Sequence, residues 1–320
     1  MPRDGGRQAG GGGPDSLYDG RFRAGLRPVT RIHPTSIIDP SARIADGVIV
    51  GPWCVVGAES VIGEGTELRS HVIVGPNTTL GRQNVVHPFA VVGGDPQDMK
   101  YRGEKTWLEM GDRNQVREHA SIHRGTGSGG GRTKIGSENL IMAVAHVAHD
   151  CVIGNGVVLA NNVMLAGHVH VEDFAGIGGA AGVHHFGRVG TCAFVGAMAR
   201  CSKDVPPYMI VEGNPAEVRG HNHIAMKRRG YTDEDVDAMK EAYKQLFRDK
   251  GGSMLDKVAA LRSRYGRSRP VQTLCDMVLE AGAGVNGRAL EVHRTDDKRA
   301  SRVATATRAP LHPGGAAGRP

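Results

Sequence analysis

From Ile32 an aliphatic residue returns at every sixth position, through Ile38, Ile44, Val50, Val56, Ile62, Leu68, Val74, Leu80, Val86 and Val92. After an interruption Met110, Val116 and Ile122 resume the ladder. A second run follows through Ile135, Ile141, Val147, Ile153, Leu159, Leu165, Val171, Ile177, Val183, Val189 and Val195. A period of six fits neither an amphipathic helix nor an alternating strand. It suits hexapeptide repeats that coil into a parallel β-helix, each stacked coil adding a row of aliphatic side chains to one continuous core. In the left-handed form three hexapeptides close a triangular coil of about 18 residues. Glycine often follows the aliphatic position (Gly51, Gly57, Gly63, Gly75, Gly81, Gly154). Such residues are expected at the corners, where a positive φ or a close backbone approach excludes a Cβ.

Two segments leave the ladder. Residues 93–107 (GGDPQDMKYRGEKTW) keep the six-residue register across Asp98 and Glu104, so their middle is expected to loop outward. Residues 125–134 (GTGSGGGRTK) shift the register by one and read as a mobile, glycine-rich flap. Beyond Val195 the spacing turns helical. Thr232 with Asp235 marks a helix start, Ser253 a second, and a third helix is expected over about 271–279. The predicted protein is mainly β. A left-handed parallel β-helix spans 32–214 and a small α-helical C-terminal domain, 215–281, caps its open strand edges. A disordered N-terminal extension (1–31) and a disordered basic tail (282–320) flank them.

Composition supports this reading. The 320 residues include 47 glycines, about twice the ordinary share, and only 4% aromatics. The net charge of +7 would suggest a nucleic-acid partner, but it lies in the tails. Residues 1–31 hold six Arg against three Asp, and 281–320 hold seven Arg or Lys against three acids, leaving 27 basic and 27 acidic residues between them. No nucleic-acid partner is therefore expected. There is no apolar run long enough to span a membrane and no apolar stretch near the N-terminus for secretion, which predicts a cytoplasmic protein. The five cysteines form no CxxC pair and read as reduced, buried thiols.

The chemistry concentrates in histidines of the second run: His146, His149, His168, His170, His184 and His185. With 18 residues per coil, His149 stacks under Gly167 and then His185, and Asp150 under His168. Coils lie about 4.8 Å apart, so these groups share one edge. Three readings compete. Structural filler ranks last, because imidazoles stacked on one edge of a glycine-rich solenoid pack poorly. Zinc binding, as in β-helix carbonic anhydrases, ranks second. General-base catalysis, with Asp150 orienting His149, ranks first.

From Ile32 to about Tyr265 the chain resembles the acyl-acyl carrier protein–UDP-N-acetylglucosamine O-acyltransferases of lipid A biosynthesis. The carrying segments are QDMKYRGE (97–104), MGDRNQVREHASIHRGT (110–126), AHVAHDCVIGN (145–155), LANNVMLAGHV (159–169), GVHHFGRVG (182–190), DVPPYMIVEGNPA (204–216) and MKRRGY (226–231). The resemblance implies that His149 deprotonates the sugar 3-hydroxyl, which attacks the thioester of a 3-hydroxyacyl carrier protein. It implies an oxyanion site at the Gly167 N–H. Asp98, Lys100, His146, His168, His184 and His185 would contact substrate, while Asn222, Arg228 and Arg229 would hold the nucleotide. It also implies a homotrimer with sites between adjacent β-helices, and neither cofactor nor metal. Rivals are the later N-acyltransferase of the route, coenzyme A-dependent relatives, a noncatalytic scaffold and a zinc hydratase. Three positions depart from the family pattern. His185 replaces a usual Gln, Ile224 a usual acidic residue, and Ala197 a glycine that leaves room for a long acyl tail. The last implies a shorter preferred chain.

Overall fold

The computed structural model describes residues 29–293; the remaining parts of both expected tails lie outside the described residues. Among these residues the strands form three sheets of eleven, nine and eight, parallel but for the last strand of the first, and these sheets are the three faces of a left-handed β-helix. The first face carries Gln115–Val116, Leu140–Ile141 and Val158–Leu159. The second carries Ser121–His123, His146–Val147, Met164–Leu165, Gly182–Val183 and Arg200–Cys201. The third carries Arg132–Ile135, Val152–Ile153, His170–Val171 and Arg188–Val189.

The register follows the ladder. Val152 pairs with His170 and His170 with Arg188, one 18-residue coil at each step. Strands are only a few residues long because the chain turns again after each aliphatic position. From Val50 onward every ladder residue is buried. Ile32, Ile38 and Ile44 are not, since no coil lies below them.

The corners differ from expectation in an instructive way. Their left-handed positions are held mostly by side-chain-bearing residues, among them Trp53, His71, Phe89, Asp150, His168 and Phe186. The glycines after the aliphatic position serve close approach instead. A Cβ on Gly63 would strike the Gly81 carbonyl of the next coil, backbone against backbone. Positive φ at a corner aims its side chain along the prism edge, and Asp and His tolerate that conformation better than most residues. Histidines and an aspartate are therefore presented at an edge by the backbone itself. Where a corner is buried and polar, an asparagine ladder replaces water: Asn84, Asn114 and Asn139 each offer the side-chain carbonyl to the backbone N–H one coil on, at 2.7–2.9 Å.

Both insertions lengthen single coils: Val91 pairs with Ser121, and Ser121 with His146. Neither projects freely. The first folds back along the edge between the second and third faces, held by the buried Arg124, which donates to the Gly93 carbonyl, to Asp95 and, at 3.2 Å, to the Tyr101 hydroxyl. The second is fastened rather than flap-like: Thr126 caps a short turn at Gly127–Gly129, and Gly127 N–H donates to Glu104 Oε1 of the first insertion.

Beyond Val205 the strands Met209–Glu212 and Glu217–His221 pair antiparallel and lead into four helices, α1 (His223–Arg228), α2 (Asp233–Tyr243), α3 (Met254–Arg264) and α4 (Arg269–Ala283). Thr232 and Ser253 are the expected N-caps, accepting from Asp235 and Leu255 N–H. Met226, Met239, Leu261 and Leu274 pack on Cys192, Tyr208 and Met209 of the final coil, covering the last edge. The chain stays ordered past the expected tail boundary at 282: a helical turn at Gly287–His293 returns to the β-helix.

Candidate active site

The corner between the second and third faces carries His149 and Asp150, then Gly167 and His168, then His185 and Phe186, in successive coils. Asp150 sits at φ 59° in this corner, and its side chain is 1% exposed. A buried carboxylate needs donors. Asp150 receives three: the Thr126 N–H at 3.0 Å, the Thr126 hydroxyl at 2.6 Å and His149 Nδ1 at 2.8 Å. Gly129 is glycine because a Cβ there would run into this carboxylate.

The consequence for His149 is a fixed tautomer. A carboxylate only accepts, so Nδ1 carries the proton, and Nε2 is left as the acceptor facing the groove. Gly167 lies directly against the ring: a Cβ on it would stand 2.5 Å from Cε1 and 2.7 Å from Nε2. Its N–H makes no hydrogen bond among the described residues. His168 packs edge-on against His149, centroids 5.2 Å apart, and stacks on Phe186 at 4.4 Å.

Asp98 reaches the same place from the first insertion, its Oδ2 3.9 Å from His149 Nε2. Lys100 follows on that loop, its backbone N–H donating to Asp98 Oδ1 at 3.0 Å. On the second face His146 pairs with the Ser121 hydroxyl at 2.8 Å and meets His123 edge-on. Burial pushes the pKa of both imidazoles down, that of His123 to about 4, and the neighbouring histidines push the same way. Both are therefore neutral near pH 7. A groove of about 460 Å³ opens from His149 across Met164, Gly182 and Val183 to His184, His185 and Arg200. The Nδ1 of His184 is buried there and has no hydrogen-bond partner among the described residues.

His149, Asp150 and His168 also present ligand-type atoms within 4.8 Å of one another. Their chemistry fits hydrogen bonding better than metal ligation: Asp150 already accepts from Thr126 and His149, and that bond occupies His149 Nδ1 with a proton.

The remaining sequence candidates lie on other edges of the same chain. Asn222 caps α1 and donates to the Cys192 carbonyl at 2.9 Å, while Arg229 places its guanidinium 3.9 Å over the Phe174 ring, at the corner between the third and first faces. Arg228 and Ile224 are exposed beside them. Ala197 is exposed at the corner between the first and second faces, outside the groove lining. Sequence reasoning missed Thr126, Ser121 and Gln97, the last of which lines the groove. Thr126 lies in an insertion that breaks the six-residue period, so its contact with Asp150 shows only in the folded chain.

A family described as Udp N-acetylglucosamine O-acyltransferase, Domain 2, matches residues 204–286, and bacterial transferase hexapeptide repeats match 132–167. Among solved structures, the UDP-N-acetylglucosamine O-acyltransferase of Moraxella catarrhalis RH4 is 45% identical over 80% of this chain and 98% of its own, with a TM-score of 0.76. The Acinetobacter baumannii protein LpxA is 43% identical over 78% and 97%, with 0.75. The Francisella novicida UDP-N-acetylglucosamine acyltransferase is 38% identical over 88% and 99%, with 0.76.

Proposed function

Because this chain belongs to the UDP-N-acetylglucosamine O-acyltransferase family, we propose that it transfers a 3-hydroxyacyl chain from acyl carrier protein to the 3-hydroxyl of UDP-N-acetylglucosamine, the first step of lipid A biosynthesis in the cytoplasm, with His149 as general base. The observation that carries the mechanism is the buried Asp150–His149 pair, which in the neutral ring keeps the proton on Nδ1 and leaves Nε2 as the acceptor beside Gly167.

In this reading Nε2 takes the proton of the sugar 3-hydroxyl as its oxygen attacks the thioester carbonyl. A C–O bond forms and the carbonyl oxygen becomes an oxyanion, to which the Gly167 N–H donates. Collapse breaks the C–S bond. The departing phosphopantetheine thiolate then receives the proton held on Nε2, which restores the neutral ring. Asp98, Lys100, His146, His168, His184 and His185 contact the acceptor sugar. Asn222, Arg228 and Arg229 hold the nucleotide, where guanidinium forks suit a diphosphate. Since those three residues occupy a different edge from His149, the reading includes a homotrimer in which one copy supplies the base and its neighbour the nucleotide end. Ala197, one methyl larger than glycine, limits the acyl tail to a shorter chain.

The test is a mass-spectrometric transfer assay with UDP-N-acetylglucosamine, its 3-amino analogue, a series of 3-hydroxyacyl carrier proteins, and acetyl- and succinyl-coenzyme A as competing donors. A 3-O-(3-hydroxyacyl) product from carrier-protein donors alone is expected. Product only from coenzyme A donors, or none, overturns the reading.

A further inference from the structure

The far end of the groove is clamped by a segment just past the family-matched domain. Gly284 ends α4 in the left-handed conformation at φ 71°, and the chain turns back to Gly287 at φ 66°. Gly287 is buried against the Asp204 carboxylate, which would collide with any Cβ at that position. Asp204 accepts from the Arg288 N–H at 3.0 Å and from the Arg188 N–H at 2.8 Å, joining this strap to the third face. The Arg288 side chain then crosses the edge. Its Nε donates to the Ser202 carbonyl at 3.1 Å and its Nη1 to the His185 carbonyl at 2.7 Å. Glu291 pairs with the same guanidinium at 2.6 Å. The base of the strap is tied down independently: Glu280 receives Arg188 at 2.6 Å and Asn286 at 3.1 Å.

We infer that Arg288 is a positioning residue of the substrate groove, fixing the His184–His185 corner and thereby setting how tightly the acceptor sugar is held. His184 and His185 line the groove, and the His185 carbonyl is gripped from outside it by Arg288. A charge-assisted bond to a backbone carbonyl fixes the corner without entering the groove. The bond geometry needs a fork, because two carbonyls are reached from two different nitrogens of one side chain. Arg288 touches neither His149 nor Asp150, so its loss leaves the base and the oxyanion donor in place.

The inference rests on the transfer reaction proposed above, and its test separates the two. In the full chain, Arg288→Ala is expected to raise KM for UDP-N-acetylglucosamine by about tenfold with kcat within about twofold, the pattern of lost uniform binding. Arg288→Lys, which can reach only one carbonyl at a time, falls between. Hydrogen exchange at 183–187 should quicken in Arg288→Ala, while exchange at 146–150 stays unchanged. An unchanged KM, or a kcat that falls as far as KM rises together with a lowered Tm, overturns the inference and leaves the strap a structural clamp. If the wild type transfers nothing to this sugar, the proposed function fails, and exchange decides the positioning claim: equal exchange at 183–187 in the two proteins overturns it.

Discussion

His149 Nδ1 lies 2.8 Å from Asp150 Oδ2, and the same carboxylate is held by both donors of Thr126. One buried acid thus fixes the tautomer of the imidazole, and a glycine-rich insertion fixes the acid.

Asp150→Asn keeps the shape but reverses a bond. The Thr126 N–H, which can only donate, holds the asparagine oxygen at the Oδ1 position, so the NH₂ takes the Oδ2 position, donates to His149 Nδ1 and moves the ring proton to Nε2. A protonated Nε2 cannot take a proton from the sugar. Steady-state kinetics should show kcat lower by about 10²-fold or more with KM nearly unchanged; a kcat within threefold of wild type would mean that Asp150 does not set the tautomer.

Gly167→Ala puts a methyl 2.5 Å from His149 Cε1, and the ring cannot swing away without breaking its bond to Asp150. Overpacking of this kind costs about 1–3 kcal/mol. The expected result is a kcat at least about tenfold lower and a lower Tm in a folded protein. Unaltered kcat would show that the ring and the glycine do not make the close contact described.

Thr126→Val is nearly isosteric and removes the 2.6 Å hydroxyl bond to a buried carboxylate. A lost hydrogen bond to a charged group costs about 1.5–3 kcal/mol. Denaturant unfolding should show a loss of that order, together with a smaller fall in kcat than Asp150→Asn produces. Wild-type stability would remove Thr126 from the orienting network.

Stability should fall in mild acid. The pKa of His123 is held down at about 4 in the folded protein, against an ordinary value of 6.5. Between those values the unfolded chain binds the extra proton, so stability rises with pH there and is lost as pH drops below 6.5. The full difference corresponds to about 3 kcal/mol. His146, shifted in the same direction, adds to it. Tm measured from pH 7 to pH 5 should decline, and the decline should be shallower in His123→Gln. Equal slopes for the two proteins would contradict the buried, neutral imidazole.

The β-helix was legible in the chain because its core repeats: each coil buries the same position, so Val50 through Val195 announce the fold by period alone. The His149–Gly167–His185 stack followed from the same arithmetic. The helices were legible where local chemistry marks them, at Thr232 and Ser253, whereas α1 is a single short turn whose cap, Asn222, carries no amphipathic run behind it. The insertions were not legible. No periodicity says that Arg124 draws 95–101 back to bring Asp98 to His149, or that Thr126 anchors a run of glycines that composition alone reads as a flap. Arg288 was hidden for the same reason. Its segment has the composition of a tail, and Asp204 and two backbone carbonyls, far away in sequence, give Arg288 its place.

The central claim is that His149 Nε2 is the base. The most direct measurement is single-turnover transfer from 3-hydroxyacyl carrier protein to UDP-N-acetylglucosamine, followed by mass spectrometry, with wild type and His149→Gln matched for Tm and for binding of the sugar nucleotide. The account predicts that His149→Gln binds the acceptor yet forms acylated sugar at least about 10²-fold more slowly. Transfer by His149→Gln at the wild-type rate would contradict it.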